Sequence, residues 1–340
     1  MKKNSIIRAL TFSVLFTCIS IYSLRAQSAS GYQVVKVFHI ASSGGWDYIA
    51  VGPGNNRLYV SHGIQVNVLD ETTGDSVGVI PNTTGVHGIA FVPAIGKGYT
   101  SNGRLNNITV FDLKSNQVLG MIAAGTNPDA IMYDDFSKLI ITCNGRSNDL
   151  SLIDPFTEKL VATIPVDGKP ETAVSDGKGK IYVNIEDKSE VISVDINLRK
   201  ILNRWSLAPS EGPTGLAIDL KNNRLFTGCS KTLVILDATS GKVTGRVNIG
   251  NGCDGVVFDA ALGYAFASCG EGKLSIVRET THGEYELLEN VPTKASARTI
   301  ALDPQTHTIY LPAAEFEKSS TPGTRPPMVP GTFQVLVVKR

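Results

Sequence analysis

Seven residues at matching places in a repeating sequence carry most of the chain's chemical potential: Asp47, His87, Asp129, Glu171, Thr214, Asp254 and Arg298. Each opens a short strand-like run, and five of the seven are Asp, Glu or His. His87, Asp129 and Glu171 come from consecutive runs, and such N and O donors could hold Ca²⁺, Mg²⁺ or Zn²⁺. They could equally supply an acid/base pair, because crowded carboxylates raise one another's pKa. Arg298 falls between Asp254 and Asp47 and offers both an ion-pair partner. The plain alternative is that polar residues merely begin strands beside water. Before the ring positions stand Trp46, Pro128, Pro170 and Pro213, which would stiffen the backbone; Trp46 could stack on a ligand or simply pack.

A second set closes the next strand of each run: His62, Asn102, Asn144, Ile185, Cys229, Cys269 and Ala313. His62, Asn102 and Asn144 could hydrogen-bond a sugar, a carboxylate or the outer contacts of a metal. Asparagine at a tight turn is also ordinary turn chemistry. Nucleophilic catalysis finds little support. GxSxG, CxxCH, GxGxxG and Walker patterns are absent, and His39, His62, His87, His282 and His307 are scattered.

The elements that must position these residues are clearest between Pro213 and Gly252, where four short strands alternate with Asn-, Lys-, Gly- and Ser-rich turns. The third strand of each unit ends in a signature such as Val68-Leu69-Asp70 or Leu152-Ile153-Asp154. Asp70, Asp112, Asp154, Asp195 and Asp237 follow one another at 42, 42, 41 and 42 residues. Each aspartate precedes a turn whose amides it can accept. Four strands per repeat of this length predict an all-β, seven-bladed β-propeller, one blade per repeat. The last unit lacks a fourth strand, and residues 32–39 match one, so the chain start is expected to complete the last blade. Residues 313–331 form an insertion rich in Pro and Gly, read as a lid, a disordered loop or a surface excursion.

Leu58-Tyr59-Val60-Ser61, Tyr99-Thr100-Ser101-Asn102, Ile181-Tyr182-Val183-Asn184 and the run Asp237–Val243 resemble the YVTN-type propeller repeat of YncE-like periplasmic proteins. The resemblance spans the chain beyond its first residues. It implies a binding protein for a small molecule, metal or envelope protein. It leaves open a metal-assisted, lactonase-like hydrolase or lyase, or a protein-interaction scaffold.

Lys2, Lys3 and Arg8 precede an apolar run from Ala9 to Leu24, and Ala26 offers a small residue for cleavage. Residues 1–26 therefore read as a secretory signal peptide and 27–340 as the propeller. A membrane anchor and lipidation at Cys18 are alternatives. Cleavage removes four cations and no acid, so the formal charge falls from +1 to −3. Such a chain is ill suited to bulk capture of nucleic acid. The expected product is a periplasmic or secreted monomer without a membrane span. Cys143, Cys229, Cys253 and Cys269 remain, without CxxC spacing; the register favours a Cys253–Cys269 disulfide, or Cys229–Cys253 across neighbouring blades.

Overall fold

The computed structural model describes residues 30–42, 44–318 and 326–340, so the expected signal peptide and Cys18 lie outside the described residues. Seven four-stranded antiparallel sheets make a propeller. Blade 1 comprises Trp46–Val51, Arg57–His62, Gln65–Asp70 and Ser76–Ile80, and blades 2 to 6 repeat that order. First strands of neighbouring blades touch all the way round, blade 7 against blade 1 included. The last blade is composite. Ala301–Asp303, Thr308–Ala313 and Gln334–Lys339 are completed by the N-terminal strand Gln33–His39. No helix among the described residues is long and apolar enough to cross a membrane.

The burial pattern explains the architecture. Second and third strands are buried on both faces, as in Leu58–His62 and Val66–Leu69, because each blade is covered by a neighbour on either side. Fourth strands alternate in exposure, as in Val243–Asn248, because they form the rim. The apolar core is accordingly divided into seven clusters, one at each seam between blades.

In blades 2, 5 and 6, where glycine follows the ring residue, there is no room for a side chain close to the axis. A Cβ on Gly88 would meet the Ile131 backbone nitrogen at 3.0 Å, and one on Gly215 would meet that of Val256 at 2.5 Å. The turn aspartates act as expected. Asp70 accepts the amides of Thr72 and Thr73 at 2.9 and 2.8 Å, and Asp237 those of Thr239 and Ser240 at 3.1 and 2.9 Å. The device also occurs after first strands, where Asp219 accepts the Lys221 amide at 2.9 Å and Asp259 that of Ala261 at 3.0 Å.

Candidate functional site at the channel mouth

First strands do not run straight into the mouth. The pairing of first with second strand slips between Trp46 and Ile49, Val86 and Ile89, Pro128 and Ile131, Pro170 and Ala173, and Cys253 and Gly255. Each slip is a β-bulge at the ring residue, and bulges re-aim side chains. Bulging frees backbone groups that need partners. Second-strand hydroxyls supply them. Ser61 receives the Asp47 amide at 3.1 Å and donates to the Tyr48 carbonyl at 2.9 Å. Ser101 receives the Gly88 amide at 2.8 Å and bonds the Asp129 carbonyl of the next blade.

Side chains re-aimed in this way from blades 1, 2, 3 and 6 join Arg298 of blade 7 in one polar chain. Arg298 reaches Asp254 through Nε at 2.9 Å and Asp47 Oδ1 through Nη2 at 3.1 Å. Asp47 Oδ2 accepts the His87 Nδ1–H at 2.6 Å, and Asp129 Oδ1 lies 3.6 Å from the same nitrogen. Asp47, His87 and Asp129 offer donor atoms all within 4.8 Å of one another. Glu171, grouped with His87 and Asp129 on sequence, is instead ion-paired with Lys169 at 2.6 Å; Lys169 also binds Glu186. Asp47 takes the third place beside the histidine. Thr214 turns to the Cys253 carbonyl at 2.8 Å.

The electrostatics follow from burial of like charges. Burial pushes Asp129 up to about 6, opposed by His87 and reinforced by Asp47. Burial and the Asp129 charge push Glu171 up to about 8 against the pull of Lys169. Burial raises Asp254 also, with Arg298 opposing. Burial works to lower His87, but the hydrogen bond to Asp47 and the charges of Asp129, Asp47 and Glu171 outweigh it, so the imidazole is raised. The mouth therefore holds carboxylates whose negative charge is incompletely balanced.

Tyr48 was not foreseen. Although it belongs to blade 1, its side chain packs against the core cluster of blades 3 and 4, which places it across the channel. It borders a cavity of about 90 Å³ with Ala130 and Thr172, and another of about 140 Å³ with Asp254 and Thr299. Burial and the acids around it raise its phenol well above the ordinary range.

The remaining sequence candidates are drawn into the walls. His62 is fully buried; its Nε2–H donates to the Gly44 carbonyl at 2.8 Å, its Nδ1 accepts from Ser42 at 2.8 Å, and its ring lies 4.1 Å from that of Phe333. Burial lowers its pKa. Asn102 joins Thr100, Asn107 and Thr109 within blade 2, and Asn144 repeats the arrangement with Thr142, Asp149 and Ser151 in blade 3. Trp46 is buried against Phe333 and Phe316, with centroids 5.2 and 5.7 Å away, so its ring packs under the inserted loop. That loop folds back on itself through a Phe316–Met328 bridge, and both residues pack on the blade 7–blade 1 core. Cys253 stands directly opposite Cys269, as the register anticipated; all four described cysteines are free thiols here.

No family model and no curated protein matches the sequence. Among solved structures the chain is similar to hydrazine synthase of Kuenenia stuttgartiensis, at 16% identity and a TM-score of 0.71 over 80% of this chain and 94% of that one. At that identity the likeness shows the propeller fold alone.

Proposed function

We propose that the protein is an exported binding propeller of the YVTN-repeat kind, with residues 1–26 as its signal peptide, that takes a divalent cation at the channel mouth. The observation that carries this reading is the convergence of Asp47, His87 and Asp129 from three blades, with donor atoms within 4.8 Å. Two carboxylates and an imidazole suit Zn²⁺ or Mn²⁺ better than the all-oxygen cations Ca²⁺ and Mg²⁺. The pressure that raises Asp129 and Glu171 also favours an ion, since a divalent cation would supply the charge that protons otherwise provide. The ion would displace the His87 Nδ1 proton, so binding should tighten with pH. The test is a thermal-shift series with Ca²⁺, Mg²⁺, Mn²⁺ and Zn²⁺ on wild type, Asp47→Asn and His87→Gln. A cation-specific rise in Tm that both variants lose supports the site; no rise with any cation sinks it.

A second reading, a metal-assisted hydrolase, is favoured by Glu171. This carboxyl is raised to about 8 beside Asp129 and could exchange a proton near neutral pH. Ester or lactone turnover that needs the cation and is lost in Glu171→Gln would select it over simple binding.

A further inference from the structure

The seam between blade 7 and blade 1 departs from comparable seams at one residue. In blades 1, 2, 4 and 7 the third residue of the second strand is a tyrosine; the Tyr59 hydroxyl of blade 1 accepts from Asn55 in its own blade at 3.0 Å, whereas those of blades 2, 4 and 7 reach the next blade. Tyr99 donates to the Pro155 carbonyl at 3.3 Å, and Tyr182 to the Ala238 carbonyl at 2.8 Å. Both acceptors are buried apolar residues directly after a turn aspartate, so at these seams the tyrosine meets backbone. The residue after Asp70 is Glu71. Tyr310 donates to its Oε1 at 3.0 Å, so a carboxyl stands where a carbonyl serves elsewhere.

Beside this carboxyl lies a cleft of about 690 Å³, bordered by the turns after strand one of both blades, the strand-three turn of blade 1 and the outer two strands of blade 7, at the end of the ring opposite the mouth. Its volume is that of a small-molecule site. Phe38, Val51, Leu302 and Val337 provide apolar wall. The charged groups are not equally available. Asp303 is held by its own turn, accepting from the Gln305 amide at 3.0 Å and from Thr306. Lys36 is tied to the carbonyls of Thr72 and Thr73 at 3.0 and 3.2 Å, with its ammonium 5.1 Å from the centre of the Phe38 ring. Lys339 is exposed at the rim. That leaves Glu71, half-buried, with Asp303 and Asp70 adding negative field and Lys339 opposing it. A carboxyl in a cleft of mixed polar and apolar lining is best satisfied by a cation that brings its own apolar body. The Lys36–Phe38 contact shows that this wall already tolerates an ammonium.

We infer that the blade 7–blade 1 cleft is a second binding site, for a small organic cation whose charge sits on Glu71 and whose apolar body lies against Phe38, Val51, Leu302 and Val337. It is independent of the mouth, which lies at the opposite end of the ring. The test uses saturation-transfer NMR on the mature chain with four probes of one shape: benzylamine, benzyltrimethylammonium, benzyl alcohol and benzoate. The two cations should bind, and the alcohol and the anion should not. Glu71→Gln should weaken the cations at least tenfold. Gln305→Trp, on the exposed turn bordering the cleft, should do the same by filling it, with Tm confirming that each variant folds. Asp47→Asn should change nothing. Binding that ignores charge, survives Glu71→Gln and Gln305→Trp, or depends on Asp47 would overturn the inference.

Discussion

Asp129, Glu171 and His87 tie the mouth to pH in one direction. Asp129 goes from 3.8 to about 6 and Glu171 from 4.5 to about 8 on folding, so the folded chain holds both protons more tightly. For raised carboxyls, stability is greatest below the unfolded values and is lost as pH climbs through the folded ones. His87 is raised above 6.5 and adds a contribution that is likewise lost as pH rises. Asp47, Asp254 and Glu186 reinforce the effect, while Arg298 and Lys169 moderate it. We therefore expect Tm to fall steadily between about pH 4.5 and 8. Glu171→Gln should flatten the slope and raise Tm at pH 8 relative to wild type. A wild-type Tm that is level over this range would contradict the electrostatics of the mouth. The ring was readable because strand starts recur in register, and His87, Asp129, Asp254 and Arg298 do stand at such starts with their side chains joined through Asp47. Partner choice within it was not, because Lys169 captures Glu171 from two residues away. His62 was misassigned for a different reason: what buries it is Phe333, remote in sequence, together with the backbone at Gly44.

At the level of the strand, the bulges decide where the ring residues point, and nothing in a period-2 pattern announces them. The hydroxyls that hold them, Ser61 and Ser101, look like unremarkable members of a repeat phrase. Ser101 is fully buried and serves two blades at once, bonding backbone groups of Gly88 and Asp129. Ser101→Ala leaves those groups unpaired, at a cost of about 1–3 kcal/mol. It should also weaken cation binding, because the His87 and Asp129 strand starts lose their common support. Urea denaturation checks the first effect and the thermal-shift series the second; a variant with full stability and full cation response would show that the bulges hold themselves. The pairing of Cys253 with Cys269 belongs to this scale too. Residues directly opposite on antiparallel strands have Cα atoms about 4.5–5.5 Å apart, within the range a disulfide spans. Protein recovered from an oxidising compartment should yield a Cys253–Cys269 cross-linked peptide on non-reducing mapping. Four alkylatable thiols, or a Cys229–Cys253 peptide, would reject that pairing.

Across the whole molecule, the apolar core is divided among seven seams, and the chain start closes the last of them. Gln33–His39 supplies the outer strand of blade 7, and Phe38 carries it into the blade 7–blade 1 core. Tyr32 donates to the His307 carbonyl at 3.2 Å and Ser30 holds Glu289, fastening the chain start to blades 7 and 6. The repeat made this closure legible, since one unit lacked a strand that the chain start could provide. The cleft beside it was not legible, because it is bordered by turns of blades 1 and 7 that meet only across the closure of the ring, and Glu71 sits in a turn that otherwise follows the repeat. In a stacked array each unit is held by its neighbours, so losing one interface lets the array unfold from that end. The chain has two tryptophans, and they report opposite sides of the ring: Trp46 at the blade 7–blade 1 seam, and Trp205 in blade 4, stacked 6.0 Å from Tyr182. Trp46→Phe and Trp205→Phe each leave one fluorophore, and in the intact ring both should show the same urea midpoint. Phe38→Ala should lower that common midpoint by an amount equivalent to about 3–5 kcal/mol while keeping the two probes together. Deleting residues 30–40 exposes the edge of Gln334–Lys339, four of whose residues are the apolar run Val335–Val338. There the Trp46 signal should melt before the Trp205 signal, with aggregation at lower urea. Coincident transitions in the deletion variant would mean that the other seams suffice and that the closing strand adds stability without enforcing cooperativity.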